Sequence, residues 1–304
     1  MSTIISASRD ATHVMPPTPL ANYNQVLPNG LGTKMGAKTG EYVLATGANA
    51  VRRLHLLHKI YSPMGRQVLL QAGLKEGMRV ADFGCGVGAV TRTLAEMVGP
   101  SGSVTGVDVD KAQLEQAATW CAKGNLTNVS FVEANASSTG LPRDAFDLVY
   151  CRFLLLHLTD PISCLCEMRD ILKPGGILFV EDGDLATARS LRPPSFDPFA
   201  DLFSLLGKIR GVNYSISKDL EQLFKHVGFP TPQSVIHQPV LKGEERPFLQ
   251  WSVAEAAPAI VDAGLFTSDQ LERTLSEMQE AIDDPTVRIL APRMSLVWAR
   301  KAQA

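Results

Sequence analysis

From Met78 to Asp182 short apolar runs recur: MRVADFG, SVTGVDV, NVSFVEA, AFDLVYC and ILFVED. Helical spacing follows the first of them through Glu96, fills Lys111–Ala122, and returns around Ile162–Leu172, where KPGG stops it. Apolar runs of this length, continuous rather than alternating, are strands covered on both faces. Strands interleaved with helices mean βαβ units, a parallel sheet and right-handed crossovers. Two later runs, SVIHQPVL and MSLVWARK, add a sixth and a seventh strand. The expected fold is α/β: a Rossmann-like, seven-stranded, mostly parallel sheet with helices on both faces.

The remainder of the chain is organised around that core. Residues 1–40 are rich in Pro, Asn, Gly and Thr and read as an irregular arm. Residues 41–72 read as N-terminal cap helices: Leu54, Leu57 and Ile60 recur at helical spacing, and Pro63 opens a second helix after a break. The core domain is expected over 73–304. Within it, ATARSLRPPSFDPF is a long loop, and helices cover about Asp201–Gly211 and Ser217–Val227. Helical patterns near Pro247–Ala263 and Ser268–Ile282 form an insertion at about 245–285, far too long for a hairpin loop and suited to a helical cap.

Bulk properties narrow the class of partner. The 304 residues carry 29 basic and 31 acidic side chains, a net charge of −2, which gives no broad attraction to nucleic acid or an anionic membrane. No run of about 18 apolar residues suggests a membrane-spanning helix, and MSTIISASRDA does not read as a secretory signal. The five cysteines are irregularly spaced, lack zinc-ligand spacing and read as reduced thiols of a cytoplasmic enzyme. No metal is expected.

VADFGCGVGA places three glycines, Gly84, Gly86 and Gly88, after the first strand, with Asp82 two residues before them. Glycines at the carboxyl end of a strand let backbone approach a ligand at the switch in strand order. GCGVGA also fits a loose G-x-G-x-x-G/A. A carboxylate at Asp82 would repel a pyrophosphate, however, and suits an amino group or cationic centre. Asp108, twenty residues beyond Gly88 at the end of the second strand, can accept both hydroxyls of a ribose. Ribose and positive charge without phosphate describe S-adenosylmethionine.

In this order VADFGCGVG, GVDVD, FVEANA, AFDLVYCRFLLLHL and LKPGGILFVED resemble class I S-adenosylmethionine-dependent methyltransferases. They are similar especially to the small-molecule branch with ubiquinone/menaquinone-methyltransferase-like cores. The resemblance covers roughly 70–185 and implies S-adenosyl-L-methionine as cofactor. It lays the loop of Gly84, Cys85, Gly86 and Gly88 against the methionine part, with Asp82 on the amino group or, alternatively, capping the strand–helix turn. It gives Asp108 the ribose and Val109 the adenine face, while Asp110 caps the next helix. Asn135 stands where aspartate is usual and would accept from the adenine amino group, with Ala136 offering its N–H. Arg152 pairs with the methionine carboxylate or with a helix acid. Tyr42 closes over the cofactor or belongs to the core.

Methyl transfer asks the protein chiefly to align the acceptor and exclude water. Where the acceptor must lose a proton, His157 in LLLHL and the acids Glu181, Asp182 and Asp184 of EDGD stand near the expected acceptor position, with His157 and Asp182 as catalytic candidates. Structural roles compete for each. His55 and His58 either line the pocket or face solvent. The fourth strand is followed by CRFL and not by the [DN]-P-P-[YF] of base-methylating enzymes, and the cysteine pattern of arsenite methyltransferases is not matched. The expected function is therefore methyl transfer to a small organic acceptor, at O or N and with C open, by a monomer or homodimer with no nucleic-acid or membrane partner. Two other readings stand beside it: an NAD-type Rossmann oxidoreductase, and a non-methylating protein that retains the cofactor fold.

Overall fold

The computed structural model describes residues 48–191 and 197–303. The arm over 1–40 and Tyr42 lie outside the described residues.

The chain enters on helix α1 (Ala48–Ala72) and then alternates: β1 (Arg79–Phe83), α2 (Ala89–Val98), β2 (Ser103–Asp108), α3 (Lys111–Lys123), β3 (Val129–Glu133), β4 (Phe146–Arg152), α4 (Pro161–Ile171) and β5 (Leu172–Asp184). Next come β6 (Arg189–Ser190), α5 (Asp197–Arg210), α6 (Leu220–His226), β7 (Gln233–His237) and β8 (Val240–Leu241). The last elements are α7 (Phe248–Asp262), α8 (Ser268–Asp283), β9 (Ile289–Leu290) and β10 (Arg293–Arg300). Seven strands form one sheet in the order β3-β2-β1-β4-β5-β10-β7. The pairs among β1 to β5 are parallel, while β10 runs antiparallel to both β5 and β7. The order turns back between β1 and β4, which places a switch point at their carboxyl ends.

Burial on both faces explains the continuous apolar runs. Val80, Ala81, Phe83, Leu148, Val149, Ile177, Leu178 and Phe179 are wholly buried. Tyr150, Phe179 and Trp298 stack across β4, β5 and β10 with ring centroids 5.8 and 5.9 Å apart.

Three expectations about elements need correction. α1 runs unbroken through Pro63. Proline forgoes one backbone hydrogen bond there, but Leu56, Leu57, Ile60 and Tyr61 before it and Val68 and Leu69 after it are buried on both sides of the break point. SVIHQPVL is not one strand: Gln238 and Pro239 divide β7 from β8. Gln238 Nε2 turns to the carbonyls of Thr187 and Ala291, and β8 joins a second, three-stranded sheet ordered β6-β9-β8. β5 starts earlier than ILFVED, because Leu172 already pairs with Phe146 across an irregularity in the ladder.

Candidate functional site

A cavity of about 710 Å³ opens at the carboxyl ends of β1, β2 and β4. Its floor begins at the glycine loop. Gly84, Gly86 and Gly88 have φ of +66°, +52° and +78°, a left-handed backbone that residues with a Cβ resist. Gly84 and Cys85 donate their N–H groups to the Val107 carbonyl at 2.8 and 3.0 Å, which folds the loop onto the end of β2. Gly86 donates to Asp108 Oδ2 at 2.8 Å, and the Asp110 N–H donates to Oδ1 at 3.0 Å. Both Asp108 oxygens are thus held on the cavity wall, each with a lone pair to spare. Burial raises the pKa of this carboxyl, and the backbone N–H groups of Asp110, Gly86 and Val109 pull it partly back. Asp110 caps α3, accepting from Ala112 and Gln113 at 2.9 and 3.2 Å, as the sequence suggested.

Gly84, Cys85, Gly86, Asp108, Val109, Asn135, Ala136, Arg152 and His157 all line this cavity. Val109 leaves 65% of its surface exposed beside Asp108. Gly88 is one step removed, packed on Ala117 of α3. Asn135 spends its carbonyl locally: Oδ1 accepts from the Ser137 N–H at 2.9 Å and the Ser137 hydroxyl at 2.8 Å. That turn uses both lone pairs, so the side chain presents its amide NH2 rather than the expected acceptor. Arg152 lies under α1, with NH2 3.2 Å from His58 Nδ1 and NH1 donating to Ser62 Oγ at 3.4 Å. Burial, and after it the Arg152 charge, pushes the His58 pKa down to about 3, so its ring is neutral. His55 instead meets Trp120 edge-to-face at 4.5 Å.

Asp82, Glu181, Asp182 and Asp184 are not among the residues that line the cavity. Asp82 is buried and accepts the Thr91 hydroxyl at 2.6 Å, tying β1 to the first turn of α2. Burial lifts its pKa to about 7, against the opposing pull of Thr91 and Arg152. Asp182 is wholly buried. Its Oδ2 accepts the N–H groups of Leu155 and Leu156 at 2.8 and 3.3 Å, and Oδ1 accepts Gly183 N–H. It is not among the residues that line the cavity, and it holds the 3-10 turn Leu155–His157. Asp184 is engaged by Ser215, Lys218 and Arg293. Glu181, also buried, faces Gly65 of α1. No group of three His, Cys, Asp or Glu among the described residues is placed to hold a metal ion.

The turn that Asp182 holds presents His157 to the cavity. Burial first, then the charges of Arg53 and Arg210, depress its pKa to about 3. A neutral imidazole accepts a hydrogen bond at neutral pH but has little drive to remove a proton. Its ring meets Tyr214 edge-to-face at 5.6 Å. Phe153, at φ +51°, is a non-glycine residue in left-handed backbone on the same wall; its N–H donates to the Glu181 carbonyl at 3.0 Å. The roof comes from α1, α5 and α7 through Leu57, Phe199, Phe203 and Phe248.

Arg53 of α1 is one of the lining residues that the sequence did not single out. It belongs to no motif. The one available signal was its place beside the buried stripe of Leu56, Leu57 and Ile60, where a solvated arginine is out of place.

The chain is similar to known methyltransferases over the part that carries the first five strands. Residues 81–180 match the methyltransferase domain family. Aklanonic acid methyltransferase DauC of Streptomyces sp. strain C5 is 34% identical over 46% of this chain and 64% of its own length. The ubiquinone/menaquinone biosynthesis C-methyltransferase UbiE of Shewanella sp. strain W3-18-1 is 35% identical over 38% of this chain and 46% of its own. The chain thus spans less than two thirds of the length of either relative. Among solved structures the YcgJ protein of Bacillus subtilis superposes with a TM-score of 0.54 at 19% identity, covering 78% of this chain and 97% of that one, a likeness of fold.

Proposed function

We propose that this chain, whose core is a class I S-adenosylmethionine-dependent methyltransferase domain, transfers a methyl group to a small organic acceptor bound under the roof of α1, α5 and α7. The observation that carries this reading is Asp108, fixed by the Gly86 and Asp110 N–H groups at 2.8 and 3.0 Å on the cavity wall. Two oxygens oriented this way, next to the bare backbone of Gly84 and Gly86 and an exposed Val109, fit a ribose with an aromatic base beside it. S-adenosylmethionine, when bound, supplies a sulfonium methyl that an acceptor atom displaces in line. The chain's own residues do the rest. Asp108 takes the ribose hydroxyls, Val109 packs on the base, and the Asn135 amide donates at the edge. The aromatic roof excludes water, and His157 accepts a hydrogen bond from the acceptor and orients it.

Asp82 belongs to this reading as the tether that sets the glycine loop, not as a direct ligand. The acceptor atom is O, N or C. Among the relatives one is named for methylating aklanonic acid and the other for C-methylation in quinone biosynthesis, and both names are compatible with an apolar, aromatic acceptor. All five cysteines are free, which supports a cytoplasmic location, and no helix among the described residues is long and apolar enough to cross a membrane. The same reading has no nucleic-acid or membrane partner and a monomer or homodimer in solution.

Calorimetric titration with S-adenosylhomocysteine, beside the Asp108→Ala protein, is the test. We expect saturable binding that weakens at least about thirtyfold in the variant, the loss of two hydrogen bonds to a charged group. Binding of NADH in place of S-adenosylhomocysteine would move the reading to an oxidoreductase.

A further inference from the structure

Arg53 is 3% exposed, lines the cavity, and is only half used. Its Nε donates to Glu255 Oε2 of α7 at 2.7 Å. Its NH2 is buried and has no hydrogen-bond partner among the described residues. A lysine would satisfy Glu255 as well. The planar fork of arginine instead keeps a second edge for another oxygen. Arg53 lines the cavity together with Leu57, Phe199, Phe203 and Phe248, and beside such apolar walls a charge-assisted hydrogen bond is strong. A buried donor left empty is costly, so the chamber is built for something that fills it.

We propose that Arg53 is the anchor of the acceptor site and that the acceptor carries an anionic oxygen, a carboxylate or an ionised hydroxyl, on a flat apolar frame. The proposal rests on the methyltransferase reading in the word acceptor alone, since the anion site is defined by Arg53 and the aromatic walls. An anionic oxygen presented to this guanidinium arrives already deprotonated, which agrees with a chamber whose one imidazole is a weak base. Glu255 balances the guanidinium, holds its Nε in place and leaves NH2 unpaired.

The probes are 8-anilinonaphthalene-1-sulfonate, an anion on an aromatic frame, and N-phenyl-1-naphthylamine, the same frame without the charge. Each is titrated by fluorescence into the full chain with and without S-adenosylhomocysteine. Arg53→Met alone strands a buried carboxylate, so the variant to use is Arg53→Met/Glu255→Gln, in which both partners become neutral. We expect this protein to bind the anionic dye about tenfold more weakly than wild type, with the neutral dye unchanged. Glu255→Gln alone is expected to bind the anionic dye at least as tightly as wild type. Equal anionic-dye affinity in wild type and double variant overturns the proposal. So does equal weakening for both dyes, or failure of the wild type to bind either. A wild type that takes no S-adenosylhomocysteine but still separates the two dyes through Arg53 sinks the cofactor reading and upholds the anion site.

Discussion

Gly88 shows how much a single residue can be asked to do. It caps α2 at φ +78°, and a Cβ added there would lie 2.8 Å from Ala117 Cβ. Gly88→Ala therefore meets two costs, left-handed backbone and overpacking, and should lose about 2–4 kcal/mol of stability. Gly140, at φ +70° with nothing within 4 Å, meets only the first, so Gly140→Ala should lose about 1–2 kcal/mol. Urea unfolding of both variants separates the terms, and equal losses would mean that contact with α3 does not matter. Asp82 offers a pH test. Burial raises its pKa from 3.8 to about 7. The unfolded chain releases this proton near pH 4 and the folded chain only near 7. Stability from this group is thus present in acid and is lost as pH rises between those values. Asp82→Asn cannot titrate, so its stability relative to wild type should climb from pH 4 to 7 and then level off. Parallel curves would show that Asp82 is ionised in the fold. The sequence placed Asp82, Asp108 and the glycines at one loop, because their spacing is local. It left open whether Asp82 faces ligand or helix, which depends on Thr91 nine residues away.

At the scale of elements, the helix boundaries were mostly legible, because caps and periodicity are written within a few residues. Asp110 before α3 and Asp160 before α4 both accept backbone N–H groups as capping residues do. Pro63 inside α1 and the split of SVIHQPVL were not legible, because in each case packing against distant elements overrides a local rule. α8 depends on one distant arginine. Arg246 donates to the carbonyls of Ala281 and Ile282 in the last turn of α8, which the helix end leaves unpaired, and to those of Asp284 and Val287 just beyond it, at 2.6–2.9 Å. Arg246→Met should cost about 2–3 kcal/mol, and hydrogen exchange should quicken first in the last turn of α8. Unchanged protection there would mean that water serves those carbonyls equally well.

Across the whole molecule, the cavity joins segments that never meet in the sequence: the β1–α2 loop, the ends of β2 and β4, the turn carrying His157, and a roof from α1, α5 and α7. A ligand spanning them should stabilise the folded chain by mass action. S-adenosylhomocysteine at a hundred times its dissociation constant should add about 2.7 kcal/mol, read as a rise in the unfolding midpoint. The Asp108→Ala protein at the same concentration should show little of that rise, and an equal rise would sever Asp108 from the site. The sequence by itself determined the α/β sheet, the order of its first five strands along the chain, and the glycine loop after β1. Strand burial and glycine spacing are short-range patterns that no later packing can rewrite. Only the tertiary structure decided that Asp182 holds the turn that carries His157, that His157 is kept neutral, and that Arg53 keeps a buried, unpaired nitrogen. Each of those outcomes depends on desolvation and on partners tens to hundreds of residues away, Glu255 for Arg53 and Leu155 for Asp182, and neither quantity has a local signature in the chain.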